Sequence, residues 1–265
     1  MEKLPAKTGW LWVKQGVALF RKQPAEMSTL FLSYMFLMLA LNIIPILGQL
    51  LPLILVPVFG IAFLQAAQNI EQDKRVYPNL LLTGFRSPAL RNLLLLGMLY
   101  LLAAVVAVAV SRLADGGIFW NAMLGTGLDT KDIENSNISL AMIVAALVYI
   151  PAAMAFWFAA PLIVWQQMSL GKALFYSFFA VRRAGRAFIV YGLAWLLIGV
   201  LLPAAVSTII ALLIDNITIM MFILLPLSII LTVIMYCSFY PTYTAVFGKP
   251  ASDDVGPTVD HSDAG

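Results

Sequence analysis

The chain has 265 residues, 62% hydrophobic and 11% charged, with a mean hydropathy of +0.94 and a formal net charge of +3. A soluble domain carries about a quarter charged residues to face water, so a chain this apolar takes lipid as its main solvent and leaves no room for a separate soluble domain. The small, unevenly placed charge argues membrane sidedness and excludes nucleic acid as a partner.

Met1 to Phe20 contains an apolar stretch broken by Lys14 and lacks a small-residue cleavage pattern, so the first true span is expected to act as the insertion signal. Spans are read where about 20 residues pass without a charge. These are Ser28–Gly48, Leu50–Gln68, Leu93–Ser111, Ile138–Trp165, Ala187–Ile214 and Ile217–Phe247. Pro45, Gly48 and Pro52 are expected to make the turn between the first two. The sixth is longer than the hydrocarbon needs, so Pro226 or Pro241 should kink it or its last turns should leave the lipid.

Between spans, three segments mix apolar and aromatic residues with Lys or Arg: Gly9–Gln23, Pro78–Asn92 and Ser169–Arg183. Such segments lie along an interface, apolar face toward the acyl chains and basic ends toward phosphates. Pro88 limits helix continuity in the second. The Gly-rich loop from Arg112 to Asn137 reads as irregular, and Asn137-Ile138-Ser139 matches a glycosylation sequon abutting the bilayer. The segment from Lys249 to Gly265 holds two prolines and four aspartates and is expected to be a disordered tail.

Fourteen of the 16 lysines and arginines then fall on one side of a six-span path, leaving only Arg112 and Lys131 on the other. The positive-inside rule puts the fourteen, and both termini, in the cytoplasm. The expected architecture is all-α: a polytopic helix bundle over residues 1–248, with spans at 28–48, 50–68, 93–111, 138–165, 187–214 and 217–247. Cytoplasmic interfacial helices precede the odd-numbered spans, and a tail covers 249–265. A three-fold hairpin repeat is a candidate: Gly16-Val17-Ala18-Leu19-Phe20 resembles Gly171-Lys172-Ala173-Leu174-Phe175, and Pro57, Pro161 and Pro241 sit near one end of the even spans. Repeats of one orientation would be related by an axis along the membrane normal.

Ala160-Pro161-Leu162-Ile163-Val164, then Ser169-Leu170-Gly171-Lys172-Ala173-Leu174, Ser177-Phe178 and Arg182-Arg183, resemble a motif of six-helix bacterial inner-membrane proteins. These are the YciC-like proteins and the membrane domains attached to some glycerophosphodiester phosphodiesterases. The resemblance covers most of residues 9 to 247 and implies a multi-pass protein of the bacterial inner (cytoplasmic) membrane. No phosphodiesterase domain is present, so that activity does not carry over.

No ionisable residue falls near a span midplane, where burial of a charge costs several kcal/mol and marks coupling sites. Proton- and cation-coupled transport is therefore disfavoured. Arg112, Asp115 and Asp215 lie at span ends. Asn42, Gln49, Gln65, Gln68, Asn69, Gln166 and Gln167 serve either interhelical hydrogen bonds or a polar solute path. The span prolines bend helices, as ordinary kinks or to build a cavity. Asp129, Asp132 and Glu134 miss the spacing of a calcium loop, and Cys237 in apolar surroundings reads as inert. No catalytic, metal or cofactor residue is expected, and the only candidate contact site is Arg182, Arg183 and Arg186 on anionic lipid. The leading expectation is a non-enzymatic protein engaging membrane lipids, another membrane protein or itself, as scaffold or envelope-maintenance factor. The alternative is a transporter or flippase for an amphipathic or lipid-like solute.

Overall fold

The computed structural model describes residues 4–44, 47–124, 137–213 and 216–250. All regular structure among the described residues is helical. In chain order come α1 (Lys7–Lys22), α2 (Pro24–Asn42), α3 (Leu47–Glu71), a 3-10 turn (Pro78–Leu82), α4 (Thr83–Arg86), α5 (Leu90–Asp115) and α6 (Ile118–Leu124). Then follow α7 (Ile138–Phe156), α8 (Ala159–Trp165), α9 (Leu170–Arg183), α10 (Gly185–Leu196), a π turn (Leu197–Leu201), α11 (Leu202–Leu213) and α12 (Ile217–Phe247).

Six stretches are long and apolar enough to cross a bilayer: Pro24–Asn42, Leu50–Glu71, Leu90–Asp115, Ile138–Trp165, Gly185–Leu213 and Ile217–Phe247. The number agrees with the charge-free windows, but several bounds move. Span 1 starts at Pro24, a proline suited to a first helical position, and ends at Asn42 rather than Gly48. Gly48 and Pro52 therefore lie inside α3 rather than in a turn. Gly48 is needed there, since a Cβ would strike the backbone of Leu41 and Asn42 in the facing helix.

The segment after span 3 is not wholly irregular. Asp115 accepts hydrogen bonds from Gly117 N (2.8 Å) and Phe119 N (2.6 Å), ordering the start of α6. The acidic loop residues Asp129, Asp132 and Glu134, and also Asp215, His261 and the 251–265 tail, lie outside the described residues.

Span 4 is interrupted at Trp157 and Phe158, between α7 and α8. Ser177 of α9 causes the break. Its Oγ donates to Met154 O (2.9 Å) and accepts from Phe158 N (2.9 Å), the very pair that would bond directly in an unbroken helix. A side chain inserted into the ladder bends a helix, and Pro161 withholds the next donor from Trp157 O. In span 5, Pro203 likewise cannot bond Gly199 O, and the π turn just before it absorbs the misfit. The sixth span is a continuous helix through both Pro226 and Pro241.

The segments before the odd spans are helical, but α1 does not turn its apolar face to lipid. Trp12 is 0% exposed and packs with Val13 against Ala187, Tyr191 and Trp195 of span 5. Two glycines permit the approach: a Cβ at Gly9 would strike Ala187 O, and one at Gly16 would strike Ser238 of span 6. α4 packs on span 2 in the same manner, with Gly84 against Val58 O, and α9 packs on span 4. Each pre-span helix therefore rests on the even span of the preceding unit, and α1 closes the ring on span 6. The Gly16/Gly171 pairing expected from sequence is not carried by equivalent contacts, because Gly16 is buried against Ser238 whereas Gly171 faces open space.

The core sits at the end of the bundle that carries α1, α4 and α9, here called the basic end. Gln23 ties this end together. Its Oε1 accepts from Val76 N (3.0 Å) and its Nε2 donates to Lys74 O (2.8 Å), beside a Lys22–Asp73 ion pair at 2.9 Å. At the far end the spans expose large apolar side chains, Leu212 at 81% and Phe222 at 78%. Such surface is stable only against hydrocarbon.

Candidate functional site

α9 alternates two faces at helical spacing. Ala173, Ser177, Ala180 and Val181 are buried on span 4, while Lys172, Phe175, Tyr176, Phe179, Arg182 and Arg183 are exposed. Small residues at i, i+4 and i+7 let α9 lie close on its support, and the Ser177 bridge pins it there. The exposed rings form their own cluster: Phe175 and Phe179 are 4.6 Å apart, and Lys172 Nζ lies 5.9 Å from the Tyr176 ring. Arg182 and Arg183 occupy the last turn, where cations complement the helix dipole. Arg186 is exposed on the first turn of α10, after the Ala184 junction. The structure thus brings the three predicted arginines to one exposed corner next to two exposed phenylalanines. Phe178, between those two in sequence, is only partly exposed and packs on Phe179 at 5.4 Å.

Most of the other sequence candidates serve packing. Asn42 Nδ2 donates to Met38 O within its own helix, and Gln65 Nε2 to Asn69 Oδ1 one turn on. Gln166 Nε2 donates to Tyr243 OH (3.1 Å), joining α8 to span 6, and Gln167 Nε2 donates to Val164 O. Arg112 sits 5.7 Å from the Trp120 ring. Cys237 is buried in the core cluster. Glu71, at the end of span 2, accepts from Tyr240 OH (2.8 Å) and pairs with Lys249 (3.1 Å). Among the described residues no group of three or more His, Cys, Asp or Glu could hold a metal ion.

Sequence reasoning missed a partly open cavity of about 290 Å³ between the spans. It is lined by residues of spans 1, 2, 3, 4 and 6 and is partly open to the surface. Its walls are mainly aromatic, among them Tyr34, Phe63, Tyr100, Phe156, Trp157 and Tyr236, with Gly60, Pro57 and Pro161 between them. The rings interlock. Phe63 stacks on Tyr236 at 4.2 Å, Tyr34 meets Phe59 edge-on at 5.4 Å, and Tyr100 lies 4.3 Å from Phe156. Tyr100 OH donates to Phe156 O (3.2 Å), and Trp157 Nε1 donates to Thr242 Oγ1 (3.3 Å). One signal was available beforehand: Tyr34, Tyr100, Tyr149 and Tyr236 lie ten or so residues inside their spans, whereas membrane tyrosines favour the interfacial belts.

No family model matches this chain, and no solved structure matches it. A protein of Burkholderia thailandensis named a probable inner membrane protein is 36% identical over 252 residues, which cover 93% of this chain and 93% of that one. Together with six helices of spanning length and composition, this likeness places the chain in the same family of integral, multi-pass inner-membrane proteins.

Proposed function

We propose that the chain is a non-enzymatic inner-membrane protein that engages anionic lipid at its cytoplasmic face, in a scaffold or envelope-maintenance role. The observation that carries this reading is the corner formed by Phe175, Phe179, Arg182, Arg183 and Arg186, all exposed. Phenylalanines inserted among acyl chains would hold the guanidinium groups at phosphate level, and each basic residue near an anionic surface contributes about 1 kcal/mol. The positive-inside rule supports a cytoplasmic position for this corner and for both termini. The resemblance of the α8–α9 region to the YciC-like proteins and phosphodiesterase-linked membrane domains belongs to this proposal, as a shared helical platform.

Replacing Arg182, Arg183 and Arg186 together by Gln tests it. The variant should retain markedly less phosphatidylglycerol and cardiolipin through purification, as read by lipid mass spectrometry, while keeping its topology. Unchanged retention with normal topology would reduce these arginines to orientation anchors. The aromatic cavity supports a second reading, a transporter or flippase for an amphipathic or lipid-like solute, which needs no charged coupling residue.

A further inference from the structure

We infer that the aromatic cavity is a binding site for a single hydrocarbon chain of a membrane lipid. The inference does not depend on the arginine corner, which lies on the opposite, exposed face of α9.

Depth is the first argument. At 1.5 Å per residue, Thr242 lies about 8 Å and Val56 about 22 Å from the basic ends of their helices. The cavity therefore runs along the spans through the hydrocarbon layer, which is about 30 Å thick. Shape is the second. The floor near the basic end is closed by Phe158 (1% exposed) with Thr242 and Tyr243, while Val56 (39% exposed), about 14 Å further along the helices, lies at the rim. The mouth thus opens among acyl chains rather than into water. Polarity is the third. Thr242 donates to Phe239 O, Trp157 to Thr242 and Tyr100 to Phe156 O, so beyond the hydroxyls of Tyr34, Tyr149 and Tyr236 the walls offer mainly apolar surface, a lining that suits a hydrocarbon chain better than a strongly polar solute.

The interlocked rings keep the space open, so a chain that enters gains dispersion contacts without first ordering the walls. An apolar cavity of about 150 Å³ accepts benzene, so this one has room for about a dozen carbons. Gly60 creates part of the room, since a Cβ there would meet nothing within 4 Å.

That glycine supplies the test. Protein reconstituted in phosphatidylglycerol vesicles would be irradiated with a trace of phosphatidylglycerol carrying a diazirine in one acyl chain, and in parallel with the free diazirine fatty acid. Adducts on Phe59, Phe63 and Phe158, which are buried from surrounding lipid, would be counted against those on the exposed Phe222. Which probe labels tells whether phospholipid or free acid is the source. Gly60→Leu should lower the cavity adducts at least about tenfold, equivalent to displacing fewer than two methylenes at about fourfold each. Ala153→Leu, from the facing wall, should do the same. The Gln triple variant at Arg182, Arg183 and Arg186 should leave them unchanged, so failure here and failure of the lipid-headgroup reading are separable. Cavity adducts that are absent from the wild type with both probes, or that persist at full level in both folded leucine variants, overturn the inference.

Discussion

At the scale of single residues, Ser177 carries more structure than its size suggests. It supplies both partners that the broken turn of span 4 needs, Phe158 N and Met154 O, in a place where no water competes. Ser177→Ala should cost about 1–3 kcal/mol, the range for leaving buried backbone groups unsatisfied, and should lower the midpoint of thermal unfolding in detergent. Ser207→Ala, a partly exposed serine that bonds Ala204 O in its own helix, is the matched control and should stay within about 0.5 kcal/mol. Equal effects would show that the bridge contributes nothing beyond local helix bonding. Glycines divide on similar grounds. Gly16→Ala drives a methyl into Ser238 and should destabilise by about 1–3 kcal/mol. Gly60→Ala meets open space in a helix interior and should be neutral or stabilise by up to about 1 kcal/mol. Thermal melts of the two variants should therefore shift in opposite directions or by very different amounts.

At the scale of elements, α1 shows where an amphipathic pattern misleads. Its periodic apolar face suits a membrane surface, yet the same face fits a groove between spans 5 and 6 because Gly9 and Gly16 remove the side chains that would hold it off. The two environments predict different mutational signatures. Trp12→Ala should cost about 3–5 kcal/mol as a large core truncation, whereas Trp10→Ala, at an exposed position on the same helix, should cost less than about 1 kcal/mol. A peripheral α1 would give both tryptophans similar, small effects on stability. α9, in contrast, keeps its aromatic face free because the buried side is made of the smaller residues Ala173, Ser177, Ala180 and Val181. It is the one pre-span helix for which the expected orientation, apolar rings outward beside the basic residues, agrees with the packing.

At the scale of the whole molecule, the six-span path brings every pre-span helix and both described chain ends to the basic end. A single-cysteine series in a Cys237→Ser background checks this. Cysteine at Asn121 should react with an impermeant thiol reagent in intact cells, and cysteines at Asp73 and Lys172 only after permeabilisation. Ser177 is unsuitable as a reporter despite its place between spans, since it is buried. Labelling at Lys172 in intact cells would place the arginine corner on the outer side, against the positive-inside rule. The cyclic contacts, α4 on span 2, α9 on span 4 and α1 on span 6, also mean that the core is built jointly by distant parts of the chain. Loss of α1 should consequently loosen spans 5 and 6 rather than leave them as an intact hairpin.

Composition by itself determined the solvent, the helical class, the number of spans and the clustering of basic residues. Each depends on a sum over about 20 residues, and lipid punishes any exposed backbone or stray charge heavily enough that local sequence decides. Span ends were less legible. Pro24 and Leu90 extend the helices into segments whose charges broke the apolar windows, and Asp115 orders a helix in what composition marks as loop. Tertiary structure alone decided which faces pair. Whether Trp12 meets lipid or Tyr191, whether span 4 is straight or opened by Ser177, and whether mid-span tyrosines fill the core or line a cavity all depend on contacts between residues far apart in the chain. Apolar side chains are about as content against lipid as against each other, so hydrophobicity cannot choose among these arrangements. Shape complementarity at glycines, prolines and a single serine makes the choice.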